Sequence, residues 1–262
     1  MRTALHLTIS SQIEFSVRIS FPENEKYDWF EAIKIFEKVG FIEVAFFNSD
    51  LFLKVDIGEI VKPFTKLNLK VSSLHFAQVS LVNLDLFAKV FHKTIKIAKS
   101  LDCDSIVIHP SMGRLKAIGN FLKEKIDPVL KKEKIYFCWE TFESKRRIFG
   151  GLKNLANYCR NTQYHRICYD LSHIHKDQQE ILKDLEKYLD LIKVFHISNR
   201  IKGSIKQHYP VYHAQEDMAL NFDEILTFLK QKNFDGHLVL EYLPQFHPQL
   251  LQDALTLKSV HK

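Results

Sequence analysis

Apolar and polar positions along the chain alternate between two periods. Short runs rich in Val, Ile, Phe and Tyr occur at 4–9, 42–47, 69–75, 105–109, 135–140, 166–170, 192–196 and 237–241. Such runs suit buried strands. Between them lie segments with apolar residues at i, i+3 and i+4, at 27–39, 84–101, 152–160, 179–192 and 222–232, as amphipathic helices require. This alternation predicts a parallel sheet with helical crossovers, an α/β fold. Eight units of roughly equal length predict a (β/α)8 TIM barrel spanning 1–262 as a single domain. An open sheet would gather its ligands at one switch point. Here five consecutive runs end in His109, Glu140, Asp170, His196 and Glu241, which fits a barrel whose C-terminal strand ends share one mouth. The active site is expected there.

The residue types at those ends point to a metal. Glu140, Asp170, His196 and Glu241 converging without a cation would raise one another's pKa values. A divalent ion, Zn or Mn with Mg as a further option, relieves that conflict. His75 and His109 end the third and fourth runs and supply ligands for a second ion, with Glu140 bridging the two. His173 follows Asp170 in the sequence DLSH and is placed to touch substrate or a third ion. The segment 200–220 is longer than the other connections and carries Arg200 and His213. Long loops at a barrel mouth are usually functional, so both residues are assigned to substrate or a third ion. His6 is a further candidate for the mouth, although a lone histidine in a strand is more often structural. His92, His165, His237, His247 and His261 have no partner pattern and read as surface or packing residues. Trp139 precedes Glu140 and should point away from the barrel axis, because strand side chains alternate. Lys145, Arg146 and Arg147 follow the fifth run, either as a solvated face or as a phosphate contact.

Composition narrows the class without changing it. The chain has 262 residues, 46% hydrophobic and 26% charged, with 8 Gly and 7 Pro, which is ordinary for one large globular domain. Its 4 Cys show no CxxC spacing, and Cys138 and Cys168 fall inside strand runs. They read as reduced core thiols of a cytoplasmic protein. The N-terminal MRTALHLTIS lacks the apolar stretch of a signal peptide, and no run approaches the roughly 18 apolar residues of a membrane span. A net charge of +6 favours an anionic small-molecule substrate without itself arguing for nucleic acid. No GxGxxG or P-loop motif is present.

With these residues in place, the chain resembles the xylose-isomerase-like barrel superfamily, which includes AP endonuclease family 2, endonuclease IV and many sugar isomerases and epimerases. The resemblance implies that Glu140, Asp170, His196 and Glu241 hold one metal, with the two Glu acting as acid and base in the isomerase branches. The endonuclease IV branch adds histidines on strands three and four, matched by His75 and His109, and a DxxH motif, matched by Asp170 and His173. The segment 74–84, with Asn83, and the IHP at 108–110 resemble that branch too. Three features depart from it. Val211 stands where the branch has the Asp of its third-ion Asp-x-His pair, AQEDMAL at 214–220 replaces the Gly-Glu-Gly that follows, and Thr141, Phe142 and Glu143 replace Asn-Thr-Ala-Gly. The leading expectation is therefore a hydrolase of a small phosphodiester with two divalent ions. The alternative is a sugar or sugar-phosphate isomerase or epimerase in which Glu140 and Glu241 move a proton. A second alternative is an AP endonuclease. Duplex DNA is not the expected partner, because basic residues near the mouth are scattered and tight duplex binding needs several phosphate contacts.

Overall fold

Eight parallel strands close into a barrel in sequence order, β1-β2-β3-β4-β5-β6-β7-β8, with β8 pairing back to β1. The structure, a computed structural model, describes residues 14–20, 29–46, 48–67, 69–204, 206–212 and 218–260. The strands are β1 Glu14–Ser20, β2 Phe41–Ala45, β3 Lys70–His75, β4 Ser105–Ile108, β5 Tyr136–Glu140, β6 His165–Asp170, β7 Ile192–Ile197 and β8 His237–Leu240. Seven lie where the apolar runs place them, within a residue or two. The first does not. The run at 4–9 lies outside the described residues, and Glu14–Ser20 closes the barrel instead. Its sequence, EFSVRIS, has polar residues at every second position, which imitates a half-exposed strand. One of those polar residues, Arg18, is buried at the mouth.

The helices are α1 Trp29–Lys34, α2 Ser49–Lys54, α3 Ile57–Lys66, α4 Leu84–Ser100, α5 Leu115–Phe121, α6 Asp127–Glu133, α7 Leu152–Arg160, α8 Gln178–Tyr188, α9 Phe222–Gln231 and α10 His247–Val260. Local chemistry fixes several starts. Asn83 accepts from the Leu86 N–H to cap α4, and Asp177 with Glu180 forms a capping box on α8. Helix α4 buries Phe87, Val90, Phe91, Ile95, Ile97 and Ala98 in the layer between helices and barrel. Among the described residues no helix is long and apolar enough to cross a membrane.

Alternation along the strands orients the ligand candidates. Val107, Cys138, Cys168, Val194 and Val239 form a small apolar cluster apart from the main core. Each stands two residues before His109, Glu140, Asp170, His196 or Glu241. Positions i and i+2 share a face of a strand, so this apolar plug and the polar layer above it have the same inward direction. All four cysteines are buried and unpaired by disulfides. Trp139 faces the other way, as alternation requires. Its indole N–H donates to His165 Nδ1 at 2.8 Å, and His165 Nε2 lies 2.8 Å from Asp127 Oδ1. Because Nδ1 accepts, Nε2 carries the hydrogen and donates to the carboxylate. His165 is thus a packing residue. Gly236 sets the entry to β8, since a Cβ there would stand 2.5 Å from the Lys193 carbonyl oxygen.

Candidate metal centre and active site

The mouth is built in register. Arg18 of β1 pairs with Glu43 of β2, and Glu43 pairs with Ser73 of β3. Their side chains meet: Arg18 Nε lies 3.6 Å from Glu43 Oε1, and Ser73 Oγ donates to Glu43 Oε2 at 2.5 Å. Across the barrel Asp170 pairs with His196. Glu43 is fully buried, and both of its oxygens lie 3.2 Å from His196 Nε2. A carboxylate can only accept, so Nε2 donates and His196 turns Nδ1 to the other side.

Around that Nδ1 stand three carboxylates. Glu241 Oε2 is 2.9 Å away, Glu140 Oε2 3.4 Å and Asp170 Oδ2 3.9 Å. Glu241 is also paired with the Arg18 guanidinium. Asp170 is fixed through its other oxygen, which accepts from Ser172 N at 2.7 Å, Ser172 Oγ at 2.8 Å and His173 N at 3.2 Å. His75 Nε2 and His109 Nε2 lie 3.2 and 3.1 Å from Glu140 Oε2, the oxygen that also faces His196. His173 Nδ1 lies 2.9 Å from Glu140 Oε1 and 3.2 Å from Asp170 Oδ2.

Several of these close atoms make no directed hydrogen bond. Glu140 Oε1, Asp170 Oδ2, His173 Nδ1, His196 Nδ1 and Glu241 Oε2 are all buried without one, although buried polar atoms are normally satisfied. Donors bound about 2.0–2.1 Å from a tetrahedral zinc stand about 3.3 Å from one another, near the spacings seen here. The residues therefore fit a divalent cation held by Glu140, Asp170, His196 and Glu241. Two further groups have ligand geometry, His75 with His109 and Glu140, and Asp170 with His173 and His208, each with donor atoms within 4.8 Å of one another. His75 sharpens the case for the first of these. Burial and the Arg18 charge push its pKa down to about 4, so the ring is neutral with a single N–H. Yet it faces two acceptors, the Phe76 carbonyl at 3.3 Å and Glu140. If Nδ1 donates to the carbonyl, a lone pair on Nε2 faces the carboxylate, an arrangement that a cation resolves.

Charge compensation within the cluster offsets the cost of burying these carboxylates. Burial alone would raise the Glu140 carboxyl, but the facing rings of His109, His173 and His196 hold it well below its usual range. Burial is likewise outweighed at Glu241 by Arg18 and His196, and at Glu43 by His196 and Arg18. His173 is raised to about 9 because Asp170 and Glu140 overcome its burial. A metal would displace the proton that His196 carries.

Seven of the residues expected at the mouth are brought together: His75, His109, Glu140, Asp170, His173, His196 and Glu241. Arg200 is elsewhere. It is buried, and its guanidinium donates to the Lys176 carbonyl rather than reaching the cluster. The antiparallel bridges Asn199–Tyr209 and Ile201–Met218 fold the long loop so that His208 enters instead. His208 has φ 60°, and its Nδ1 approaches Ser172 Oγ at 3.4 Å and Ser198 Oγ at 3.3 Å. His6 and His213 lie outside the described residues. Arg18, Glu43 and His208 were not evident as site residues in the sequence. Phe142, which stacks on His173 with ring centroids 4.2 Å apart, was visible there only as a departure from the related branch.

Glu43 orients His196 as a carboxylate behind a metal-binding histidine does. Changing it to Gln should cost about 10- to 100-fold in metal affinity. Competition with a chromophoric chelator measures this, and unchanged affinity would refute the orienting role.

Comparison with known proteins agrees with this architecture. The family model described as xylose isomerase-like TIM barrel matches residues 30–258. No curated protein sequence matches. Among solved structures, 3-keto-D-glucoside 4-epimerase from E. coli superposes with a TM-score of 0.69 at 13% identity, covering 95% of this chain and 100% of the other. D-allulose 3-epimerase from Methylomonas sp., in complex with D-allulose, gives 0.69 at 14% identity, covering 95% and 97%. AP endonuclease, family 2, from Brucella melitensis gives 0.64 at 17% identity, covering 90% and 98%. At such identities the structures share the fold. The family match, over most of the chain, is what places this protein in the xylose isomerase-like TIM barrel family.

Proposed function

We propose that the chain is a single-domain, divalent-metal-dependent isomerase or epimerase of a small sugar or sugar phosphate. One observation carries this reading: the carboxylates of Glu140 and Glu241 approach the same nitrogen, His196 Nδ1, from β5 and from the end of β8, at 3.4 and 2.9 Å. Two carboxylates brought to one point from different strands can serve the two faces of one substrate. An ion held by Glu140, Asp170, His196 and Glu241 would polarise the substrate carbonyl and the neighbouring hydroxyl oxygen. One carboxylate takes the proton from the carbon beside the carbonyl, and the C–H electron pair moves toward the carbonyl oxygen. The other carboxylate relays a proton from a neighbouring imidazolium to the opposite face for epimerisation, or to the former carbonyl carbon for isomerisation, in which case the hydroxyl proton passes to the former carbonyl oxygen. Glu241, beside Arg18, is suited to start ionised. Glu140, held ionised among four histidines, is suited to relay a proton from His173, whose Nδ1 lies 2.9 Å from its Oε1. The cleft beside His109 has a volume of about 300 Å3, at the small end of ligand sites. The solved epimerases of this fold lend the reading further support.

The metal-loaded protein should wash deuterium from D2O into the carbon beside the carbonyl of one or more ketoses or ketose phosphates. Proton NMR should show the exchange lost with EDTA and in Glu241→Gln. No exchange across the panel would end this reading. A second reading, hydrolysis of a small phosphodiester at two ions, is favoured specifically by the second ligand group that His75, His109 and Glu140 form. Two ions per chain by elemental analysis, with phosphodiester turnover and no deuterium exchange, would select it.

A further inference from the structure

Arg147 is the one member of the Lys145-Arg146-Arg147 run that turns back over the mouth. Lys145 and Arg146 are exposed, whereas Arg147 is partly buried. Three backbone features hold it there. The loop after β4 and the loop after β5 are joined by an antiparallel bridge between Met112 and Arg147. Gly113 N donates to the Arg146 carbonyl at 3.0 Å, and Ile148 N donates to the Ser111 carbonyl at 3.0 Å. The side chain is fixed as well. Its Cζ lies 3.8 Å from the centre of the Phe142 ring, whose other contacts are His173 and the edge of His109. Arg147 Nη1 donates to the Pro110 carbonyl at 2.6 Å.

This placement leaves a charged group without an anion. Burial lowers the basicity of Arg147, and the charge of Glu140 is the opposing influence, but among the described residues it forms no ion pair. A guanidinium has five N–H donors in a planar fork, and one of them is used by Pro110. The same residue lines the cleft of about 300 Å3 that also contains His109, Gln78, Ser80, Ser111 and Met112. One end of that cleft is therefore a metal-ligand candidate, and another part is an immobilised cation among small polar groups. A neutral sugar gives no reason to hold an unpaired guanidinium in such a place.

We propose that Arg147 is the specificity-determining contact for a phosphoryl group on the substrate, bound in the cleft beside His109. This rests on the isomerase or epimerase reading and specifies its substrate as a phosphorylated sugar. Stacking on Phe142 orients the fork in advance, so little rotamer freedom is lost when phosphate oxygens bind. Phosphate bound there sits beside His109, which leaves the carbon chain to reach Glu140 and Glu241.

The probe is inorganic phosphate, titrated by phosphorus NMR against the full chain in EDTA and again after metal loading, with acetate as a carboxylate control. Wild-type protein should bind phosphate in EDTA. Arg147→Gln should weaken that binding about tenfold or more, the loss of a charge-assisted contact, with metal content retained. Arg147→Lys should keep part of the affinity, and Arg146→Gln should match wild type. With a phosphorylated ketose, Arg147→Gln should raise KM about tenfold with kcat little changed, an expected split for a contact made equally in ground and transition states. Phosphate affinity unchanged in Arg147→Gln, equal losses in Arg146→Gln, or tighter binding of acetate than of phosphate would each overturn the proposal. Phosphate binding in EDTA does not depend on proton transfer, so its failure is separable from a failure of deuterium exchange.

Discussion

Glu140→Gln is expected to lower turnover about a thousandfold while the barrel stays folded. Glu140 approaches four rings, with Oε2 beside His75, His109 and His196 and Oε1 beside His173. Gln occupies nearly the same volume but is neutral and presents an NH2 where one oxygen stood. It loses the charge that attracts a cation and cannot accept a proton from carbon. General acid–base groups contribute roughly 10²–10⁴-fold, and weakened metal binding adds to that loss. The experiment compares deuterium exchange and metal content of the two proteins, with circular dichroism as the control for folding. Activity within a few-fold of wild type, at full metal loading, would place the chemistry elsewhere in the barrel.

The convergence of the candidate ligands on one mouth could be read from the sequence because each closes a strand run. His75, Glu140 and Asp170 are the last residues of β3, β5 and β6, His109 and Glu241 directly follow β4 and β8, and His196 is the penultimate residue of β7. For all of them except His75, which follows Ser73 by two positions, the inward direction was also legible through the apolar residue two positions earlier. The residues that support them were harder to see. Glu43 lies within β2 among apolar neighbours, and its signal was a charge inside a strand that ought to be buried, a position charged residues seldom take without a partner. That partner, His196, is 153 residues away, and no local pattern reveals it. Arg18 escaped because β1 was sought in the earlier apolar run. His208 depends on how the loop folds back through its two bridges, a tertiary outcome without a periodic signature. Helices α2, α3, α5, α6 and α10 were not among the helical segments singled out in the sequence; α2, α5 and α6 span only 6, 7 and 7 residues, too few to show a clear period.

Arg18→Met should destabilise the metal-free barrel by about 3–5 kcal/mol, the usual cost of breaking a buried ion pair from one side. Arg18 is 8% exposed, is paired with Glu241 and lies 3.6 Å from Glu43. Met fills much of the same space, so the loss comes mainly from two carboxylates left less compensated. For a chain of this size the midpoint of thermal unfolding should fall by about 10 °C. Two further outcomes distinguish this cause from poor packing. A divalent ion at Glu241 would replace the missing positive charge, so metal should raise the midpoint of Arg18→Met more than that of wild type. The pH dependence has a definite sign as well. Glu241 and Glu43 are held below their usual pKa in the folded chain, so their contribution is present above the unfolded value of about 4.3 and is lost as pH falls through the folded value. Removing Arg18 brings the folded values closer to the unfolded one and reduces that contribution at neutral pH. The gap between the two proteins should therefore be widest near neutrality and narrow as the carboxylates protonate in acid. A difference that ignores both metal and pH would show that Arg18 matters through its volume and not through its charge.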